Sequence, residues 1–154
     1  MWQRFHSQEL KNYSTRWYAP VFSVLDLAQG YHQMRVKPAT RKYTAFRTHR
    51  ETYQWCVAPM GLAGMPGVWS RLMRILFGKF VFLVVYLDDI CVFSESIEDH
   101  LEHLEQLFQV LRKEKLYAHK KKCHFGQHEV KFLGHTISSE GLAVDDSKTK
   151  SIAE

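Results

Sequence analysis

The sequence lacks the features that would place it in several large protein classes. It has only three cysteines, Cys56, Cys91 and Cys123, an odd number at wide spacing, so no disulfide framework is expected. The longest apolar run, Phe80 to Leu87, is far shorter than the roughly 20 residues a membrane-spanning helix needs, and no membrane partner is expected. The start, Met1 to Lys11, carries Arg4, Glu9 and Lys11 without an apolar stretch and does not read as a secretory signal. These absences favour a reducing intracellular setting. There is no internal repeat and no low-complexity tract. A Gly-rich phosphate loop, a nucleophile elbow and a catalytic Cys-His arrangement are also missing, which removes the common nucleotide-loop and acyl-transfer chemistries.

What remains is ordinary globular material. With 154 residues, 45% of them hydrophobic and 24% charged, the chain can bury one core. Its net charge of +5 favours a polyanionic partner, a weak signal alone. Residues 1–20 show no period and read as a lead-in to a domain over residues 21–154. VFSVLDL (Val21 to Leu27) is rich in large apolar and β-branched residues and reads as a strand. An insertion over about 33–60 follows, with short strands expected at Gln33 to Lys37, Tyr43 to Thr48 and Thr52 to Ala58, and a turn at Pro38-Ala39-Thr40. Pro59, Gly61, Gly64, Pro66 and Gly67 make a loop into a helix over Val68 to Phe77, which Gly78 stops.

Val81 to Tyr86 and Ile90 to Phe93 are apolar strands so close that they form a tight hairpin. Ser96 and Asp99 have capping-box spacing. The stripe Leu101, Leu104, Phe108, Leu111 predicts the core face of the helix that follows, with Glu102, Glu105 and Arg112 in water. Lys120 to Lys122 form a basic turn, and Val130 to Leu133 and His135 to Ser138 read as strands. Strand, insertion, helix, hairpin, helix, strand is an α+β, ferredoxin-like plan: an antiparallel sheet with helices on one face.

The chemistry concentrates in acids. Asp88 and Asp89 stand between the apolar segments VFLVVY and ICVF. Two carboxylates so close repel, and removing them from water costs several kcal/mol each. Asp26 ends another apolar strand, and the fold plan lays that strand beside the hairpin. Three carboxylates at one sheet end can hold two magnesium ions (or manganese), an arrangement suited to phosphoryl transfer. The bland alternative, aspartates that merely fill exposed turns, stays open on spacing alone.

The motifs FSVLDLAQGYHQMRV (Phe22 to Val36), RKYTAFRT (Arg41 to Thr48), PMGLAGMP (Pro59 to Pro66), VVYLDDICVFS (Val84 to Ser94), HLEHL (His100 to Leu104) and FLGHTIS (Phe132 to Ser138) occur in one order. In this the chain resembles the reverse transcriptases of gypsy-type LTR retrotransposons, and less closely those of retroviruses. The resemblance implies a polymerase palm with partial fingers. It implies metal binding by Asp26, Asp88 and Asp89, and a ring at Tyr31 under the incoming sugar that would clash with a ribose 2′-hydroxyl. It places Met60 and Gly61 in the loop that touches the nucleotide and the template base, and Phe132, Leu133, Gly134 and His135 at the primer's end. The implied partners are an RNA or DNA template, a DNA or RNA primer and deoxynucleoside triphosphates. Further polyprotein domains are also implied, namely fingers, thumb, ribonuclease H and integrase. The chain departs from the family pattern around the helix proline: Gly64-Met65 and Trp69-Ser70 stand where Asn-Ala and Phe-Gln are usual.

Three other readings compete with this one. One is a truncated, inactive palm, because no matching upstream fingers segment and no thumb are seen. Another is a non-enzymatic RNA-binding module, against which the acidic turn argues, since aspartates repel phosphate. The third is zinc at Cys123, His124, His128 and His135, whose spacing fits no standard ligand pattern.

Overall fold

A computed structural model describes residues 19–144. The first strand, β1, is Val21–Asp26. Two short strands follow, β2 at Phe46–Arg47 and β3 at Thr52–Tyr53. Helix α1 spans Met65–Phe77, with Pro66 in its first turn and Gly78 as C-cap, its N–H bonded to the Arg74 carbonyl at 2.9 Å. The hairpin is β4 (Leu83–Tyr86) and β5 (Asp89–Ser94). Helix α2 spans Ile97–Glu114 and is capped by the Ser96 side chain, which accepts from the Asp99 N–H. Last come β6 (His124–Gln127), β7 (Glu129–Phe132), β8 (His135–Ser138) and β9 (Gly141–Val144).

The main sheet has the order β4-β5-β1-β6, with every neighbouring pair antiparallel. That is the ferredoxin-like order: the first strand lies between the third and the fourth, which forces the two βαβ halves to interleave. The side-chain period of two then sorts β1 and β5 between two cores. Leu25, Ile90 and Val92 face the helices and pack on Trp69, Met73, Phe77, Leu107 and Leu111. Phe22, Val24, Cys91 and Phe93 face the other way, where Val130, Phe132 and Ile137 cover them. These last three belong to a separate sheet of order β7-β8-β9. Among the described residues no helix is long and apolar enough to cross a membrane.

Four expectations need correction. Gln33 to Lys37 is not a strand: Gly30–Gln33 and Pro38–Thr44 are 3-10 turns, and only an isolated bridge joins Arg35 to Val57. Gln33 explains the difference. Its side-chain amide bonds the backbone of both Ala28 and Tyr117, which fixes the first turn, and with Pro38 opening the second only a few residues between them are left extended. The strand expected at Tyr43 to Thr48 shrinks to Phe46–Arg47, and the one at Thr52 to Ala58 to Thr52–Tyr53, because the two pair over only two residues each and Val57 beyond them makes just the isolated bridge to Arg35. The fourth strand of the main sheet is β6, an exposed edge strand without an apolar alternation, and not the segment after Glu129.

The buried face of α2 is also turned by about one residue. Leu101 is 65% exposed, whereas His100, Leu107 and Leu111 are buried. A polar network makes the difference. His100 Nε2 meets Ser23 Oγ at 2.6 Å and His100 Nδ1 meets Ser94 Oγ at 2.7 Å, while Ser23 Oγ also accepts from the Gly126 N–H at 3.0 Å. One imidazole therefore ties α2 to β1 and β5, with every polar atom satisfied at low exposure.

Burial, and then the neighbouring His103, hold the His100 pKa below its usual value. A depressed histidine pKa stabilises the fold fully above the unfolded value of about 6.5 and loses that contribution as pH falls toward the folded value. His100→Gln should lower stability at pH 7 by about 1–3 kcal/mol, since a glutamine amide cannot keep both short hydrogen bonds that the buried imidazole makes to Ser23 and Ser94. In urea melts the gap between wild type and variant should narrow from pH 7 to pH 5. A gap that stays constant or widens would refute the network's role.

Candidate active site

Asp26 is the last residue of β1 and Asp89 the first of β5, and the register sets them directly opposite each other. By the same alternation Asp26 shares a face with Phe22 and Val24, and Asp89 with Cys91 and Phe93, so both carboxylates leave the same side of the sheet at its edge. Directly opposed side chains in an antiparallel pair have Cβ atoms about 5 Å apart, and like charges there are destabilising. The order of strands produces this meeting, because β1 lies beside β5.

Asp88 joins them from the turn. Tyr86 pairs with Asp89, leaving a two-residue turn of Leu87 and Asp88, with Leu87 at φ 50°. Tight hairpins want positive φ in the turn, but a leucine there costs energy that glycine would not. Two contacts hold the turn. Its Asp88 carbonyl accepts from the Leu27 N–H at 2.7 Å. The indole Nε1–H of Trp69, on α1, donates to the Leu87 carbonyl at 2.8 Å. Asp88 Oδ1 is buried and has no hydrogen-bond partner. Gly30 lies against it: a Cβ on Gly30 would run into Asp88 Oδ1 and stand 2.8 Å from Trp69 Cζ2.

The electrostatics follow from this crowding. Burial, then the charge of Asp26, raise the Asp88 pKa, and a backbone hydrogen bond from Gly30 opposes the shift. Burial, then Asp26 and Asp88, raise that of Asp89, with Lys122 opposing. Burial, then Asp88, raise that of Tyr31, whose ring meets Trp69 edge-on at 6.2 Å. Lys122 Nζ stands 3.2 Å from Asp26 Oδ2. It arrives there because the chain before it is laced to the end of β1: the His119 N–H bonds the Asp26 carbonyl at 2.7 Å, and Leu27 bridges Ala118.

Among the described residues no group of three or more acidic, histidine or cysteine side chains stands arranged to hold a metal ion. The donor set still fits a hard divalent cation. It consists of carboxylate oxygens gathered at one edge, one of them buried and unpaired, with mutual repulsion that a cation would relieve. Asp26, Asp88 and Asp89 are the residues that could hold it.

The remaining site residues named from sequence lie elsewhere. Met60, 69% exposed, and Gly61, at φ 85°, sit in the open loop before α1. Phe132 to His135 make the β7–β8 hairpin, with a two-residue turn at Leu133 (φ 52°) and Gly134 (φ 73°). Three of the four possible zinc ligands have other partners: Cys123 Sγ donates to the His119 carbonyl, His128 contacts the Pro20 carbonyl and His135 the Leu133 carbonyl, while His124 lies exposed in β6. Sequence reasoning missed Gly30, Lys122 as a partner of Asp26, and the indole bond of Trp69. Trp69 had left a signal as a departure from a family pattern, and Lys122 as part of a basic turn, but neither pointed to these partners.

A family model described as reverse transcriptase (RNA-dependent DNA polymerase) matches residues 3–137. The chain belongs to the reverse transcriptase family. It is similar to the retrovirus-related Pol polyproteins from two Drosophila melanogaster transposons, opus and gypsy. Identity is 34% for opus, over 88% of this chain and 14% of that protein, and 31% for gypsy, over 88% and 13%. Among solved structures, this reverse transcriptase fold matches the foamy viral protease-reverse transcriptase in complex with RNA/DNA hybrid. The TM-score is 0.81 at 25% identity, covering 88% of this chain and 18% of that one. The chain thus spans only about one-seventh of the curated relatives' length.

Raised carboxylate pKa values mean that the folded state holds these protons more tightly than the unfolded chain does. Their stabilising contribution is complete below about pH 3.9 and is lost as pH rises through the folded values. At neutral pH the ionised cluster therefore strains the metal-free reverse transcriptase domain. Asp88→Asn should raise the melting temperature of metal-free protein at pH 7 by roughly 2–5 °C. Millimolar magnesium should raise that of wild type and leave the variant nearly unchanged. A metal-free variant that melts lower than wild type would contradict this electrostatic account.

Proposed function

We propose that this chain carries the palm and part of the fingers of an RNA-directed DNA polymerase, in which Asp26, Asp88 and Asp89 hold two magnesium ions. The observation that carries the reading is the opposed Asp26–Asp89 pair with Asp88 beside it, a set of like charges at a sheet edge that is unfavourable without a cation. When bound, such ions polarise phosphate oxygens and lower the pKa of an attacking hydroxyl. The chain's own part is placement. The β1–β5 register sets two carboxylates, the Leu87–Asp88 turn sets the third, and Tyr31 packs beside them on Trp69. A ring at Tyr31 beneath the sugar would exclude a 2′-hydroxyl and so select deoxynucleotides. Met60 and Gly61 serve the nucleotide, and the Phe132–His135 turn serves the primer, as parts of the same proposal.

The charge distribution supports a nucleic-acid partner. Of 21 basic and 16 acidic residues, six and one lie between residues 27 and 64, which leaves 15 of each elsewhere. The whole excess of +5 therefore belongs to the segment between β1 and α1. Rings accompany it: Phe46 stacks on Tyr53 at 5.8 Å and meets Trp55 at 5.9 Å, and all three of Tyr43, Phe46 and Tyr53 are exposed. Cationic side chains beside exposed rings suit phosphate and unpaired bases. The solved foamy viral relative was captured with an RNA/DNA hybrid, which agrees with this reading.

Primer extension on an RNA template, with magnesium and deoxynucleotides, tests the proposal. Template-directed extension is expected, and Asp26→Ala or Asp88→Asn should lower its rate by at least about 10²-fold. Extension that survives either substitution would remove that residue from the proposed centre.

A further inference from the structure

We propose that Trp69 is a positioning residue, whose indole N–H fixes the carbonyl of Leu87 and thereby aims the Asp88 carboxylate at the metal site. This rests on the metal-centre reading above and goes beyond it, because it assigns a task to a side chain that touches neither substrate nor cation.

Trp69 stands on the face of α1 that turns toward the sheet, in the row Trp69, Met73, Phe77, and is fully buried. Its ring meets three parts of the site at once. Nε1–H donates to the Leu87 carbonyl at 2.8 Å, the ring edge closes on Gly30, and the ring supports Tyr31 edge-on. The Leu87 carbonyl belongs to the one residue of the aspartate turn with a left-handed backbone, φ 50°. Such a conformation persists only where the surroundings over-determine it. A hydrogen bond to that carbonyl is a direct way to do so, and it restricts the rotation that would swing the next residue, Asp88. The Asp88 side chain has no alternative tether at Oδ1. Gly30 completes the device: with Trp69 in place there is no room for a Cβ between the indole edge and the carboxylate. A phenylalanine at position 69 would fill much of the space but has no donor for the turn.

The test compares Mn²⁺ affinity, by electron paramagnetic resonance titration of the full chain, with thermal stability of the metal-free protein. Wild type, Trp69→Phe and Asp88→Asn are measured together. Trp69→Phe should weaken Mn²⁺ binding about three- to tenfold, the worth of one hydrogen bond, whatever the change in melting temperature. An affinity equal to wild type, with or without lost stability, would overturn the proposal and leave the metal centre standing. Wild type that binds no Mn²⁺, or binds it as Asp88→Asn does, would sink the metal centre itself and the positioning role with it. Should Trp69→Phe not fold, solvent exchange of the Trp69 indole proton in the wild-type NMR spectrum decides. Slow exchange supports the bond to Leu87, and exchange as fast as a free indole overturns it.

Discussion

Two aspartates face each other across antiparallel strands, and a third stands in the adjoining turn. In water this would cost little, since solvent screens carboxylates well. At a sheet end that is partly buried and lies against the indole of Trp69, screening is poorer and each ionised group raises the cost of the next. Much of the local architecture compensates. Lys122 neutralises Asp26, and the backbone of Ala118 and His119 is laced to the end of β1 so that Lys122 can reach. The lysine is largely exposed, so its pair adds little net stability, and a divalent ion competes with it at small cost.

Packing supplies the rigidity that the charges oppose. The sheet is clamped on both faces, by two helices on one side and by β7 and β8 on the other, which resists splaying of β1 and β5. The His100 imidazole adds a directional tie between α2 and the two central strands that carry the acids. A strained leucine in the turn, an unpaired buried oxygen and an opposed pair of like charges all reduce stability, and they sit within one small region. Such concentration is the usual trade of stability for a functional site.

Much of this was legible in the sequence, for physical reasons. The apolar runs flanking Asp88 and Asp89 demanded a hairpin, and the alternation of strand and helix demanded a sheet that brings β1 beside it; both meet in the Asp26–Asp89 register. The cap at Ser96 and the stop at Gly78 are local signals and lie where they were expected. Helix α2 shows the limit. Leu101, Leu104, Phe108 and Leu111 and the true row, His100, Leu104, Leu107 and Leu111, have nearly the same spacing, and only the distant hydroxyls of Ser23 and Ser94 decide between them. Edge strand β6 carries no alternation because solvent reaches it, so nothing in its composition announces it. The Lys122–Asp26 contact joins residues far apart in the chain and depends on backbone bonds around Ala118, which no motif encodes.

The central claim is that residues 26, 88 and 89 share divalent cations. Iron(II) substituted for magnesium, with ascorbate and peroxide, generates radicals that cut the backbone within a few ångströms of the metal. The account predicts cuts at both distant segments, next to Asp26 and in the Leu87–Asp89 turn, suppressed together by excess magnesium. Cleavage confined to one segment, or indifferent to magnesium, would contradict it.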